Sequence, residues 1–294
     1  MELWLGAAVL GLCYGFLAIG VYITMRIYNF PDITADGSLT LGASITASLL
    51  VIGANPFYSV FVAMIFGFLA GSLTGIVHTK LKVNGLLSGI LVTTALYSIN
   101  LRIMGRSNIP LLTVQTVLTP FENAFPEAPR WAVDFIVFLC FSIIFLVLLG
   151  LLFKTDFGLA MRATGDNEVM IATQGVNTDT MKIVGIGLSN SMIALSGSLV
   201  CQYQGFADIS MGIGIIVFGL ASVIIGESLL GLFRHRFSVG TQLVSVVFGA
   251  IIFRVLVGAA LSLGLAPTDF KIVTAFFVLL SVALPQLRNL IFRR

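Results

Sequence analysis

The sequence predicts an all-α polytopic membrane protein of about nine spans, with interrupted helices and an inverted internal repeat. Three observations carry that prediction. Of 294 residues, 58% are hydrophobic and only 10% charged, and the mean hydropathy is +1.06. Ordinary soluble domains carry about a quarter charged residues. Long apolar runs recur at the length a bilayer needs, about 20 residues. Two similar polar breaks then sit at corresponding places in the two halves. One transmembrane domain, 1–294, accounts for all of it, with halves of about 1–153 and 183–287 around a polar loop, 154–182.

Taken in order, the segments are Leu3–Met25, Ser38–Gly53, Pro56–Val77, Asn84–Met104, Trp131–Phe153, Ile183–Gln204, Gly212–Leu232, Ser238–Leu263 and Thr268–Leu287. The N-terminal MELWLGAAVL lacks a basic leader region and reads as the start of the first span. Ser38–Gly53 is short and entered through Pro31 and Gly37. The 212–232 segment opens on a glycine pair and contains Glu227. Either is a candidate broken or partly re-entrant helix, which needs protein or a water-filled cavity to shelter its backbone.

Lysine and arginine bias sets the orientation. With the 154–182 loop in the cytosol, the inner side receives Arg26, Lys80, Lys82, Lys154, Arg162, Lys182, Arg234, Arg236, Arg288, Arg293 and Arg294. The outer side receives Arg102, Arg106, Arg130 and Lys271, and Arg254 stays in a span. Eleven against four puts the N-terminus outside and the C-terminus inside. The loop Gly105–Arg130 is then the largest outer surface, suited to an external partner.

The repeat is Phe30-Pro-Asp32-Ile-Thr34 after the first span and Phe206-Ala-Asp208-Ile-Ser210 after the sixth. Five spans separate the copies, and an odd number makes the halves inverted, a feature of transport folds. Tyr28 and Tyr203 precede the two copies.

Glycines at Gly67, Gly71 and Gly75, and at Gly11 and Gly15, read as close helix packing rather than chemistry. Charged groups within spans are functional candidates by default: Asp32, Asp208, Glu227 and Arg254, with Asp134 near an outer end. Two roles stay open for Asp32 and Asp208, capping the half-helix that follows or contacting a solute. Glu227 and Arg254 are placed to pair. Asn29, Gly37, Asn100, Ser189, Asn190, Ser191 and Gln202 add polar or helix-breaking positions along a candidate path.

The 154–182 loop carries its own punctuation. Asp166 and Asn167 can cap a short helix, Glu168 complements its dipole, and Gly175 can end it in the left-handed conformation. The chain has no GxxxxGK[ST] phosphate loop, no HExxH and no Ser/His/Asp set. Cys13, Cys140 and Cys201 lack metal-ligand spacing. A net charge of +3 gives no reason to expect nucleic acid. These readings exclude an enzyme acting alone, and no cofactor or metal is expected in this chain.

Thr155-Asp-Phe-Gly-Leu-Ala-Met-Arg-Ala-Thr-Gly-Asp-Asn167, followed by Ala172 and Gly175, resembles the T-x-x-G-x-x-x-R-A-x-G-x-N loop of ABC importer permeases. The branch is that of branched-chain amino acid, ribose and nucleoside permeases. Gly37-Ser-Leu-Thr-Leu-Gly-Ala43 and Ser222-Val-Ile-Ile-Gly-Glu-Ser-Leu-Leu-Gly231 are similar to two further segments of that family, with Glu227 where many members have glycine. The resemblance implies a coupling helix on Arg162, Ala163, Thr164, Gly165, Asp166 and Asn167, completed by Glu168, Ala172 and Gly175. It further implies a second permease copy, two ATP-binding subunits holding ATP and Mg at the cytosolic face, and an extracytoplasmic substrate-binding protein. The setting would be the bacterial inner membrane, and the cargo an amino acid, in the aromatic subgroup. The competing reading is an ion-coupled secondary transporter of a small polar solute using Asp32, Asp208 and Glu227. A membrane scaffold is a third, for which the interrupted segments give no reason.

Overall fold

The computed structural model describes residues 2–231 and 238–262, together with 272, 274–276, 278 and 279. Its helices are α1 (Glu2–Tyr22), α2 (Thr34–Val51), α3 (Pro56–Thr79), α4 (Gly85–Met104), α5 (Thr119–Ala124), α6 (Arg130–Leu152), α7 (Asp156–Asp166), α8 (Glu168–Thr173), α9 (Thr178–Gln204), α10 (Ile215–Gly231) and α11 (Val239–Ser262). A π-helical turn, Ile23–Ile27, continues α1.

Side-chain caps set several helix starts. Asn55 accepts from the Phe57 amide ahead of Pro56, and Asn84 accepts from Leu86. Asn177 accepts from Thr180 and draws the polar stretch Thr178–Lys182 into α9, which starts five residues before the predicted Ile183. Capping satisfies amides that a helix start leaves without partners.

Six of the described helices are long and apolar enough to cross a membrane: 4–27, 56–79, 85–104, 130–152, 178–204 and 239–260. The two predicted segments read as candidate broken or re-entrant helices correspond to α2 and α10, which are not among these six. The ninth, Thr268–Leu287, falls almost wholly outside the described residues.

Helices α1 and α9 form the centre. In each, 83% of the most apolar window is buried, against 22% in α6 at the rim. Helix α3 packs along α9, α11 along α1, and α1 along α9. The glycine stripe explains how closely α3 approaches. A methyl on Gly67 would lie 2.4 Å from Ala194 Cβ, and one on Gly71 2.4 Å from the Ile186 carbonyl. Gly11 faces Ile251 of α11 in the same manner, at 2.6 Å. Between α1, α10 and α11, the Phe218 ring lies 5.0 Å from both Tyr14 and Phe253.

The architecture is not purely helical. Strands β1 (Asn108–Pro110) and β2 (Phe206–Asp208) pair antiparallel, Asn108 opposite Asp208 and Pro110 opposite Phe206. The predicted outer loop is therefore pinned to the end of α9. Gln202 adds a second pin by accepting from the Val117 amide at 2.8 Å. Strand pairing across 100 residues depends on tertiary proximity, which three-residue segments do not announce in sequence.

Candidate functional site

Two places gather the predicted residues: the polar loop between the halves, and the paired helix breaks.

In the loop, the sequence anticipates one short helix, but the chain forms two. Arg162, Ala163, Thr164, Gly165 and Asp166 are the last turns of α7, not part of the helix that follows. Asn167 is the hinge. Its extended backbone (φ −155°, ψ 97°) ends α7, and its Oδ1 accepts the Met170 amide at 3.0 Å to start α8. Gly175 has φ +86°, as anticipated for a left-handed helix stop.

Glu168 pairs with Lys182 at 2.5 Å, which holds its carboxyl below the usual carboxylate range. Opposite that anchor, α8 leaves Val169 76% and Met170 60% exposed. Ala172 is exposed as well. Gly165 faces inward instead. A methyl there would overlap the Ile27 carbonyl at 1.5 Å, so α7 is seated on the π turn of α1. Thr164 is buried and bonds the Ala160 carbonyl.

The first break spans Tyr28–Ile33, with Asn29 at φ +50°. Asp32 is 2% exposed. Its Oδ1 accepts the Thr34 amide at 2.9 Å, at the first residue of α2, whose N-cap position is Ile33. Its Oδ2 accepts Asn190 Nδ2 at 2.7 Å, from the middle of α9. The second Asn190 amide hydrogen goes to the Ile186 carbonyl, and its Oδ1 has no protein partner. Turning the amide over would set its carbonyl oxygen against a carboxylate, so the neighbours fix its orientation. Thr34 and Thr74 hydroxyls meet 2.8 Å apart beside this pair. Gly37 gives its carbonyl to Asn100 at 3.2 Å.

The second break, 209–214, departs from expectation. Asp208 bonds the Ser210 amide and hydroxyl and accepts from Asn108, but it does not cap α10. That task falls to Asp36, a residue the sequence reading passed over. Its carboxylate accepts Gly214 N at 2.7 Å and Ile216 N at 3.0 Å. Gly212 packs on the Asp36 carbonyl, where a methyl would lie 2.0 Å away. The two breaks thus interlock.

Glu227 does not pair with Arg254. It forms an ion pair with Arg26 of the π turn. Arg254 lies over the Tyr14 ring, 5.5 Å from its centroid. Of the predicted path residues, Asp32 and Asn190 are brought into contact, whereas Asp208 lies in the paired strands beyond the far end of α4. Among the described residues no group of three or more His, Cys, Asp or Glu is placed to hold a metal.

Residues 3–283 match the model of the family described as branched-chain amino acid transport system, permease component. The chain belongs to this permease family. Its members are transport permeases of ABC-type import systems, not enzymes.

A tyrosine transport system permease protein of Clostridioides difficile (strain R20291) is 42% identical to this permease over 272 residues. The match covers 92% of this chain and 88% of the relative. The ribose import permease protein RbsC of Escherichia coli (strain K12) is 24% identical over 266 residues, covering 90% and 80%. In fold, the permease is similar to a chain of PsaBC from Streptococcus pneumoniae solved in complex with Fab. The TM-score is 0.53 at 14% identity, over 95% of this chain and 89% of that one.

Proposed function

We propose that this chain is the membrane subunit of a binding-protein-dependent ABC importer for an amino acid, and that α8 is the element an ATPase grips. The observation that carries the reading is α8 itself. A six-residue helix, capped by Asn167 and anchored by Glu168 on Lys182, presents Val169 and Met170 outward. An exposed apolar pair on a braced helix in a polar loop is suited to a partner's groove. The seating of Gly165 on Ile27 links α7, which adjoins α8 through Asn167, to the π turn that continues α1, so force applied at α8 reaches the centre of the bundle through α7.

The amino-acid cargo is supported by the tyrosine permease relative, and the few charges within the spans suit a zwitterion. The substrate path lies between two permease copies, with two ATP- and Mg-bearing subunits on the lysine-rich face and a binding protein on the face of the paired strands. The N-terminus lies outside and the C-terminus in the cytosol of the inner membrane.

The halves are inverted repeats. Helix α3 lies on α9 as α11 lies on α1. Asp32 and Asp208 each bond the amide two residues on, at 2.9 and 2.8 Å. The first copy sits beside the start of α4, where Gly89 faces Ile33, and the second lies beyond its end at Asn108.

Co-purification of the tagged chain with candidate P-loop ATPases tests the reading. Val169→Glu and Met170→Glu should release the ATPase while leaving the detergent elution profile unchanged. If no ATPase binds and uptake follows an ion gradient, the importer reading fails and the buried Asp32–Asn190 pair becomes the coupling candidate.

A further inference from the structure

At the lysine-rich end, a pocket of about 280 Å³ opens between the first helix break, the start of α4 and the start of α9. It is near the lower end of the size range for small-molecule sites. Its walls include Tyr28, Phe30 and the His78 ring, which meets Phe30 edge-on at 5.0 Å. His78 is tied through Nδ1 to the Val83 carbonyl at 2.8 Å, so it serves as wall.

The polar lining is one-sided. It holds Lys182, Asn29, and the first turn of α4 at Asn84 and Gly85, with no acidic residue. The N-terminus of this 20-residue helix carries a partial positive charge, and Asn84 Oδ1 caps the Leu86 amide there. A lysine, the amide-bearing Asn29 and a helix N-terminus around a cavity match an anion, and the ring walls leave an apolar place for its body.

Lys182 also holds Glu168, the first residue of α8, at 2.5 Å. We propose that this pocket takes a small carboxylate with an apolar body, such as an aromatic amino acid, and that the ligand competes with Glu168 for Lys182. Occupancy then loosens the anchor of α8. The consequence for transport rests on the α8 reading above: cargo accumulating at this face slackens the grip of the ATPase. Binding itself does not depend on that reading, since it belongs to the permease alone.

The test is calorimetric titration of the full-length permease in detergent with L-phenylalanine and with L-phenylalaninamide, which lacks the carboxylate. The acid should bind wild type at least about tenfold more tightly than the amide, the worth of one charge-assisted contact. Lys182→Met should weaken the acid by a similar factor, and Lys182→Arg should retain it. Glu168→Gln, which removes the competitor, should bind the acid several-fold more tightly. Equal binding of acid and amide, or no tightening in Glu168→Gln, would overturn the proposal. The ATPase co-purification is scored separately, so failure of the importer reading leaves this result readable.

Discussion

The Asp36 carboxylate accepts the Gly214 amide at 2.7 Å, across 178 positions of sequence. A residue in the first turn of one interrupted helix thereby caps the start of another, and the two breaks cannot move independently. Asp36→Ala should cost about 1 kcal/mol or somewhat more, by the usual worth of an N-cap. Asp36→Asn should recover part of that. Thermal unfolding in detergent measures both, and Asp208→Ala should have the smaller effect on α10 because Asp208 caps only its own turn.

Asn190→Leu should destabilise, because removing the amide leaves the buried Asp32 carboxylate with hydrogen bonds from Thr34 alone. An unpaired buried group costs roughly 1–3 kcal/mol, more when charged. The paired variant Asp32→Leu with Asn190→Leu should lose less than the sum of the single changes. A double-mutant cycle on the unfolding midpoint checks this.

Glycine substitutions should separate by position. Gly67→Ala should cost about 1–3 kcal/mol through overpacking, since its methyl would meet Ala194 Cβ at 2.4 Å. Gly150→Ala in α6 has nothing within 4 Å and should be neutral or stabilising by up to about 1 kcal/mol. The comparison is made on unfolding midpoints measured in one detergent.

The Arg26–Glu227 pair should contribute little to stability despite linking α1 to α10. The side chains are 54% and 29% exposed, and exposed pairs give about 0–1 kcal/mol. Glu227→Gln should shift the midpoint only slightly, and raising salt should shrink the difference further.

Acid should release α8 late. Pairing with Lys182 depresses the Glu168 pKa below its ordinary 4.5. The stabilisation it gives is therefore present above pH 4.5 and disappears as pH falls through the lower folded value. Limited proteolysis of the loop should stay slow to below pH 4.5 in wild type. In Glu168→Gln it should be faster near neutrality and show no such step.

Much was legible in the residues alone. Apolar length marked α1, α3, α4, α6, α9 and α11, because a span must bury its backbone in its own hydrogen bonds. Asn167, Glu168 and Gly175 marked α8, because caps and stops act within a few residues. The stripe Gly67, Gly71, Gly75 marked a packing face, though not α9 as the partner. By themselves these determined a helical membrane protein with a punctuated loop between its halves, and the resemblance of that loop to importer permeases added the function.

What depended on distance in sequence was decided by tertiary structure. Asp36 reads as an ordinary polar residue until the fold brings Gly214 to it, and Glu227 favours Arg254 on paper while the π turn delivers Arg26. The pairing of Asn108–Pro110 with Phe206–Asp208, and the pocket that gathers Asn29, Gly85 and Lys182, exist only once α4 and α9 are both packed against α2 and α3. Local propensities are written in neighbouring residues. The partners of a charge or an amide are chosen by which helices pack together.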